Sequence, residues 1–163
     1  MRGWYALALG SNRRHARYGS PESVLEAALA RLDRKHVSLK ARSAIVQSRP
    51  LGPSRRTFAN AAAVVETRLD PPGLLKRLKK IECQFGRRPG GARWSPRVLD
   101  LDIILWSGGA WATPELAVPH LGFRSRSFVL DPLVTIVAGW RDPLTGLTIR
   151  QLKARLDRRR PAA

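Results

Sequence analysis

Apolar residues recur along this chain with two periods. Residues 4–9 form a short apolar run that stops at Gly10-Ser11-Asn12, predicting a first strand and a turn. Residues 12–20 are polar and basic and read as a loop. Ser20 followed by Pro21 has the form of a helix cap and first helical position, and Val24, Leu25, Ala28, Leu29 and Leu32 keep helical spacing behind it. Residues 37–48 alternate at Val37, Leu39 and Ala41 and then turn apolar, predicting one second strand. A loop built on Pro50-Leu51-Gly52-Pro53 leads to a third strand over 60–69, rich in Ala and Val. Asp70-Pro71-Pro72 caps a second helix with Leu74, Leu75, Leu78 and Ile81 as its stripe, and Gly86 stops it. Lys76, Arg77, Lys79 and Lys80 fall on its exposed face, while Cys83 falls on the apolar pattern, where buried packing is expected. A fourth strand is predicted over 98–106.

The order β-α-β-β-α-β is that of the split βαβ, ferredoxin-like arrangement. The expected fold class is α+β: an antiparallel sheet with both helices on one face and the other face covered by the residues after the fourth strand. Residue 111 and residues 114–120 and 124–137 predict a short strand, a loop and a helix. Residues 148–158 predict a last amphipathic helix on Ile149, Leu152 and Leu156. Residues 158–163 read as a frayed basic tail. No repeat or linker divides 1–163, so a single domain is expected.

Composition sharpens this picture at one point. The chain has 163 residues, enough for a real core, but 30 Lys and Arg against 12 Asp and Glu give a net charge of +18. Such a field attracts polyanions, whether nucleic acid, anionic membrane or nucleotide. A single cysteine excludes an internal disulfide and fits a reduced cytoplasmic setting. The amino-terminal run lacks the form of a signal peptide, and no stretch approaches bilayer-spanning length, so no membrane association is expected.

The chemistry concentrates in residues 86–105. An arginine- and glycine-rich loop holding Arg87, Arg88, Arg93 and Arg97 runs straight into a strand bearing Asp100 and Asp102. Alternation on a strand points both aspartates to one face and sends Leu99, Leu101, Ile103 and Leu105 to the other. Two adjacent carboxylates repel, and a cation relieves them. Hard oxygen ligands with open positions suit Mg²⁺ that also binds substrate phosphates, and the arginines can neutralise those phosphates.

Further blocks accompany this one in order: Ala8-Leu9-Gly10-Ser11-Asn12, Pro50-Leu51-Gly52-Pro53, Phe58-Ala59-Asn60-Ala61-Ala62, Glu82 with Gly86-Arg87, Arg93-Trp94-Ser95-Pro96-Arg97, Val118-Pro119-His120 and Arg126-Ser127-Phe128-Val129-Leu130. With them the chain resembles the 6-hydroxymethyl-7,8-dihydropterin pyrophosphokinase family of the folate pathway over residues 5–133. The resemblance implies transfer of the terminal diphosphate of ATP to the hydroxymethyl group of a reduced pterin, with release of AMP. It implies that Asp100 and Asp102 hold two Mg²⁺ ions and that Arg87 and Arg97 clamp phosphate. Glu82, Arg88, Trp94, Ile103, His120 and Arg126 are implied at ATP. Ser48, Arg49, Leu51, Phe58, Asn60, Trp94, Asp100 and Phe128 are implied at the pterin. The family's common pattern is not kept at Pro89, Glu115 and Leu121, and the loop over 12–20 is longer and more basic than typical.

Two other functions fit parts of the pattern. Ferredoxin-like sheets also host RNA-binding domains, and the positive charge suits phosphate contacts. The third strand, however, lacks aromatic RNP-type residues, and the fourth carries acids. A diverged kinase with another heterocyclic acceptor is the third possibility. The pyrophosphokinase reading, as a monomer without nucleic acid, is the one carried forward.

Overall fold

The structure, a computed structural model, describes residues 1–48, 57–86 and 98–159. The first strand, β1 (Gly3–Ser11), runs two residues beyond the predicted stop, so Gly10 and Ser11 belong to the sheet and not to a turn. Helix α1 (Pro21–Leu32) starts as expected, with the Ser20 hydroxyl accepting the Ser23 N–H at 3.3 Å. Helix α2 (Pro71–Gln84) is capped by Asp70, whose carboxylate accepts the Gly73 N–H at 2.8 Å. Its stripe of Leu74, Leu78 and Ile81 is fully buried, worth about 2 kcal/mol per side chain. Cys83 is exposed, contrary to the expectation of buried packing. It lies two residues past Ile81, and a step of two on a helix rotates a side chain well off the stripe.

The predicted second strand is two: β2 (Val37–Arg42) and β3 (Val46–Ser48). Both pair with β4 (Phe58–Thr67), antiparallel. The break falls at Ser43, whose buried hydroxyl accepts the Ala62 N–H at 2.8 Å and donates to the Ala44 carbonyl at 2.8 Å. A side chain that takes over a ladder position interrupts the ladder.

The last strand of the sheet is β5 (Asp100–Trp106), and the order is β2-β4-β1-β5 with every pair antiparallel. This is the ferredoxin-like arrangement expected. Opposite Ala6 and Leu7 stand Leu105 and Ile103, so Ile104 is an extra residue in β5. The bulge flips the alternation. Leu99, Leu101 and Ile103 enter the core beneath α1 and α2, as predicted, but Leu105 enters the core on the opposite face together with Ile104.

That second core is built by the C-terminal additions. A hairpin of β6 (Trp111–Thr113) and β7 (Leu116–Val118) comes after β5, then a 3₁₀ turn at Phe123–Ser125, α3 (Ser127–Val137) and α4 (Ile149–Arg159). Leu130, Leu133 and Val137 of α3 and Ile149 and Leu152 of α4 pack with Ala6, Ala62 and Val64 of the sheet. Arg158 and Arg159 continue α4 and so belong to a helix, not to a frayed tail. No described helix is long and apolar enough to cross a membrane.

Candidate active site

Strand register assembles the site. Asp102 pairs with Ala8, Asp100 pairs with Gly10, and Gly10 pairs on its other side with Asn60 of β4. Residues paired across strands share a face, so Asn60, Asp100 and Asp102 look out from one side, joined by Phe58 two residues before Asn60. It is the side of the second core, past the end that α3 and α4 cover. Gly10 keeps the floor low: among the described residues a Cβ there would meet only the Asn60 Oδ1, at 3.5 Å. Asn60 is 9% exposed, whereas Phe58 and Phe128 are 37% and 47% exposed. The open Phe58 ring, two residues along the same strand face from a buried amide, offers a surface suited to a flat polar heterocycle.

The carboxylate pair is electrostatically loaded. Burial pushes the Asp102 carboxyl above the ordinary carboxylate range, and the charge of Asp100 pushes it further; His120, Lys79 and Arg126 pull the other way without prevailing. Among the described residues no third His, Cys, Asp or Glu completes a metal cage. Two carboxylates on a rigid strand, with the remaining positions left to substrate and water, are the donor set that Mg²⁺ takes beside phosphates.

The outer edge of β5 is fastened on both sides of Asp102. The Leu101 N–H donates to Glu82 Oε1 at 2.9 Å, and the His120 N–H donates to the Ile104 carbonyl at 3.1 Å. Glu82 is fully buried, and its Oε2 receives Lys79 Nζ at 3.3 Å. Sequence reasoning placed Glu82 near the nucleotide; in the structure its carboxyl holds the peptide that separates the two aspartates. Lys79, assigned to the exposed face, serves this same cluster, and only its spacing of three from Glu82 hinted at it.

Above the floor, the turn after β7 carries His120 and Arg126. The Gly122 N–H donates to His120 Nδ1 at 3.1 Å, so Nε2 bears the ring hydrogen. The Arg126 guanidinium lies 5.9 Å from the centre of the Phe128 ring. The Ile103 side chain, expected at ATP, lies in the first core, 3% exposed, because it points away from the aspartates. Ser48 ends β3 opposite Phe58. Arg49, Leu51, Arg87, Arg88, Trp94 and Arg97 lie outside the described residues.

The launch of the arginine segment is well anchored. Phe85 is fully buried, with Tyr18 at 4.8 Å and His15 at 6.1 Å between ring centres, and Gly86 takes φ +97° at the end of α2. Arg31 ties the two sides together through Tyr18 Oη at 3.0 Å and Gln84 Oε1 at 2.6 Å.

Comparison with known proteins agrees with this geometry. The family model described as 7,8-dihydro-6-hydroxymethylpterin-pyrophosphokinase matches residues 6–138. The 2-amino-4-hydroxy-6-hydroxymethyldihydropteridine pyrophosphokinase of Pseudomonas aeruginosa is 39% identical over 139 residues, covering 84% of this chain and 82% of its own. Its counterpart from Methylorubrum extorquens is 35% identical over 153 residues, covering 93% and 92%. For the relative from Synechocystis sp., 39% identical over 111 residues, the match spans 68% of this chain and 56% of that protein. In fold, the chain is similar to wild-type Plasmodium falciparum HPPK-DHPS, with a TM-score of 0.72 over 95% of this chain and 44% of that one, at 15% identity. The chain belongs to the 7,8-dihydro-6-hydroxymethylpterin-pyrophosphokinase family.

Proposed function

We propose that this chain moves the terminal diphosphate of ATP onto the hydroxymethyl oxygen of 6-hydroxymethyl-7,8-dihydropterin, in folate biosynthesis. The relatives' names support that reaction class. The observation that carries it in this molecule is the shared sheet face: Phe58 and Asn60 stand beside Asp100 and Asp102. An acceptor site and a phosphate site therefore adjoin on one rigid surface.

Each residue has a distinct task. Phe58 and Phe128 sandwich the pterin ring, and the Asn60 amide meets its mixed donor and acceptor edge. Ser48, Arg49 and Leu51 complete that pocket. Asp100 and Asp102 hold two Mg²⁺, which when bound neutralise the phosphates and align their oxygens. Glu82, through the Leu101 peptide, fixes the spacing of the two aspartates. His120 Nε2–H and the Arg126 guanidinium donate to ATP phosphates. Arg87, Arg88 and Arg97 neutralise the transferring group, and Trp94 keeps water from taking the diphosphate.

In the transfer, the acceptor oxygen bonds to the β-phosphorus and the bond from that phosphorus to the α–β bridging oxygen breaks. AMP leaves with the bridging oxygen, and the acceptor's hydroxyl proton is released to solvent. Phosphorus NMR of a reaction with ATP and the hydroxymethyl dihydropterin checks this directly. AMP and a diphosphate ester are expected in equal amounts; ADP with a monophosphate ester would overturn it.

A further inference from the structure

The turn that carries His120 and Arg126 contains a residue with no side chain. Gly122 sits at φ −103° and ψ 0°, a backbone that residues other than glycine also adopt. Conformation therefore does not call for glycine there, but space does. A Cβ at Gly122 would stand 3.1 Å from both Nε and Nη2 of Arg126 and 3.2 Å from its Cζ. Three atoms of one planar group at nearly one distance mean that the guanidinium presents its face to this position.

Among the described residues no hydrogen bond pins that group. The Arg126 guanidinium makes no hydrogen bond and no ion pair with them, and its other ring neighbour is Phe128. Its charge acts on Asp102, but no hydrogen bond to a described residue fixes where its donors point, so contact with Gly122 and Phe128 sets the orientation of its plane. The same glycine also supplies the N–H that fixes His120 Nδ1.

We propose that Gly122 is a positioning residue: its missing side chain is the seat of the Arg126 guanidinium, and its N–H orients His120, so one residue aims both groups at the phosphates of ATP. This rests on the roles given above to Arg126 and His120. The seat itself is a statement about geometry and can be tested without substrate.

Gly122→Ala keeps the N–H and adds one methyl group against the far end of a flexible side chain. The fold therefore stays intact and the guanidinium moves. The Arg126 Nε–Hε signal in ¹⁵N NMR shifts in the substrate-free variant, while the His120 nitrogens keep the Nε2–H pattern. KM for ATP rises roughly three- to ten-fold, with the pterin KM and the melting temperature close to wild type. Adding Gly122→Ala to Arg126→Ala produces no further rise in KM for ATP, because the group being displaced is gone. An unmoved Nε–Hε signal overturns the seat. Additive effects of the two substitutions assign Gly122 a structural role and overturn the proposal as well. If Arg126→Ala leaves KM for ATP at wild type, the phosphate role of Arg126 fails, and the Nε–Hε shift still decides the seat.

Discussion

Asp102 loses water to burial and faces a like charge at Asp100, yet both sit on a strand that the fold holds rigid. Replacing Asp100 by Asn removes the repulsion, so the Asp102 carboxyl should titrate at lower pH; carboxyl ¹³C NMR of the metal-free protein reads this, and an unchanged titration would contradict the coupling. Asp102→Ala removes a proposed metal ligand and should cut turnover by about three orders of magnitude or more with the fold preserved. An active Asp102→Ala enzyme would contradict the metal assignment. This pair was legible because alternation on a strand is local. Ile103 was legible as a core residue by the same rule, and its assignment to ATP is the part that the structure does not support for the side chain. Gly122 was illegible: a glycine in a turn gives no sign in sequence of what lies over it.

At the scale of elements, short patterns placed both early helices and the strand order, and missed two interruptions. Neither the Ser43 hydroxyl replacing a ladder bond nor the bulge at Ile104 has a periodic signature, because each depends on the partner strand. Asp142 is a third such case. It is fully buried and takes Arg124 Nε at 2.6 Å, Arg124 Nη2 at 2.8 Å and the Thr145 hydroxyl at 2.7 Å, tying the 3₁₀ turn to the loop before α4. Burial works to raise its pKa, but the bonds from Arg124 and Thr145 outweigh it and leave the carboxyl below its ordinary range. A carboxyl depressed on folding stabilises above its unfolded pKa. This contribution should be complete above about pH 5 and fade as pH falls below about 4. Asp142→Asn should cost on the order of 3 kcal/mol at neutral pH and flatten that acid limb in denaturant titrations. A variant as stable as wild type at pH 7 would contradict the staple.

Over the whole molecule, the net charge of +18 surrounds a site whose floor is acidic. ATP is a polyanion and the pterin is neutral, so screening should separate them. Raising salt from about 50 to about 500 mM should increase KM for ATP several-fold and leave the pterin KM nearly unchanged. Equal shifts would mean that the arginine excess does not steer nucleotide. The shared face of Phe58, Asn60, Asp100 and Asp102 belongs to this scale too. Residues on β4 and β5 meet only through β1, so register across three strands, which no local pattern encodes, brings them together. The resemblance in ordered blocks supplied what periodicity alone did not. The most direct test is a coupled AMP-release assay at saturating Mg²⁺ and ATP, with and without 6-hydroxymethyl-7,8-dihydropterin. AMP should appear only when the pterin is present; AMP release indifferent to the pterin, or none from folded protein, would contradict diphosphate transfer to this acceptor.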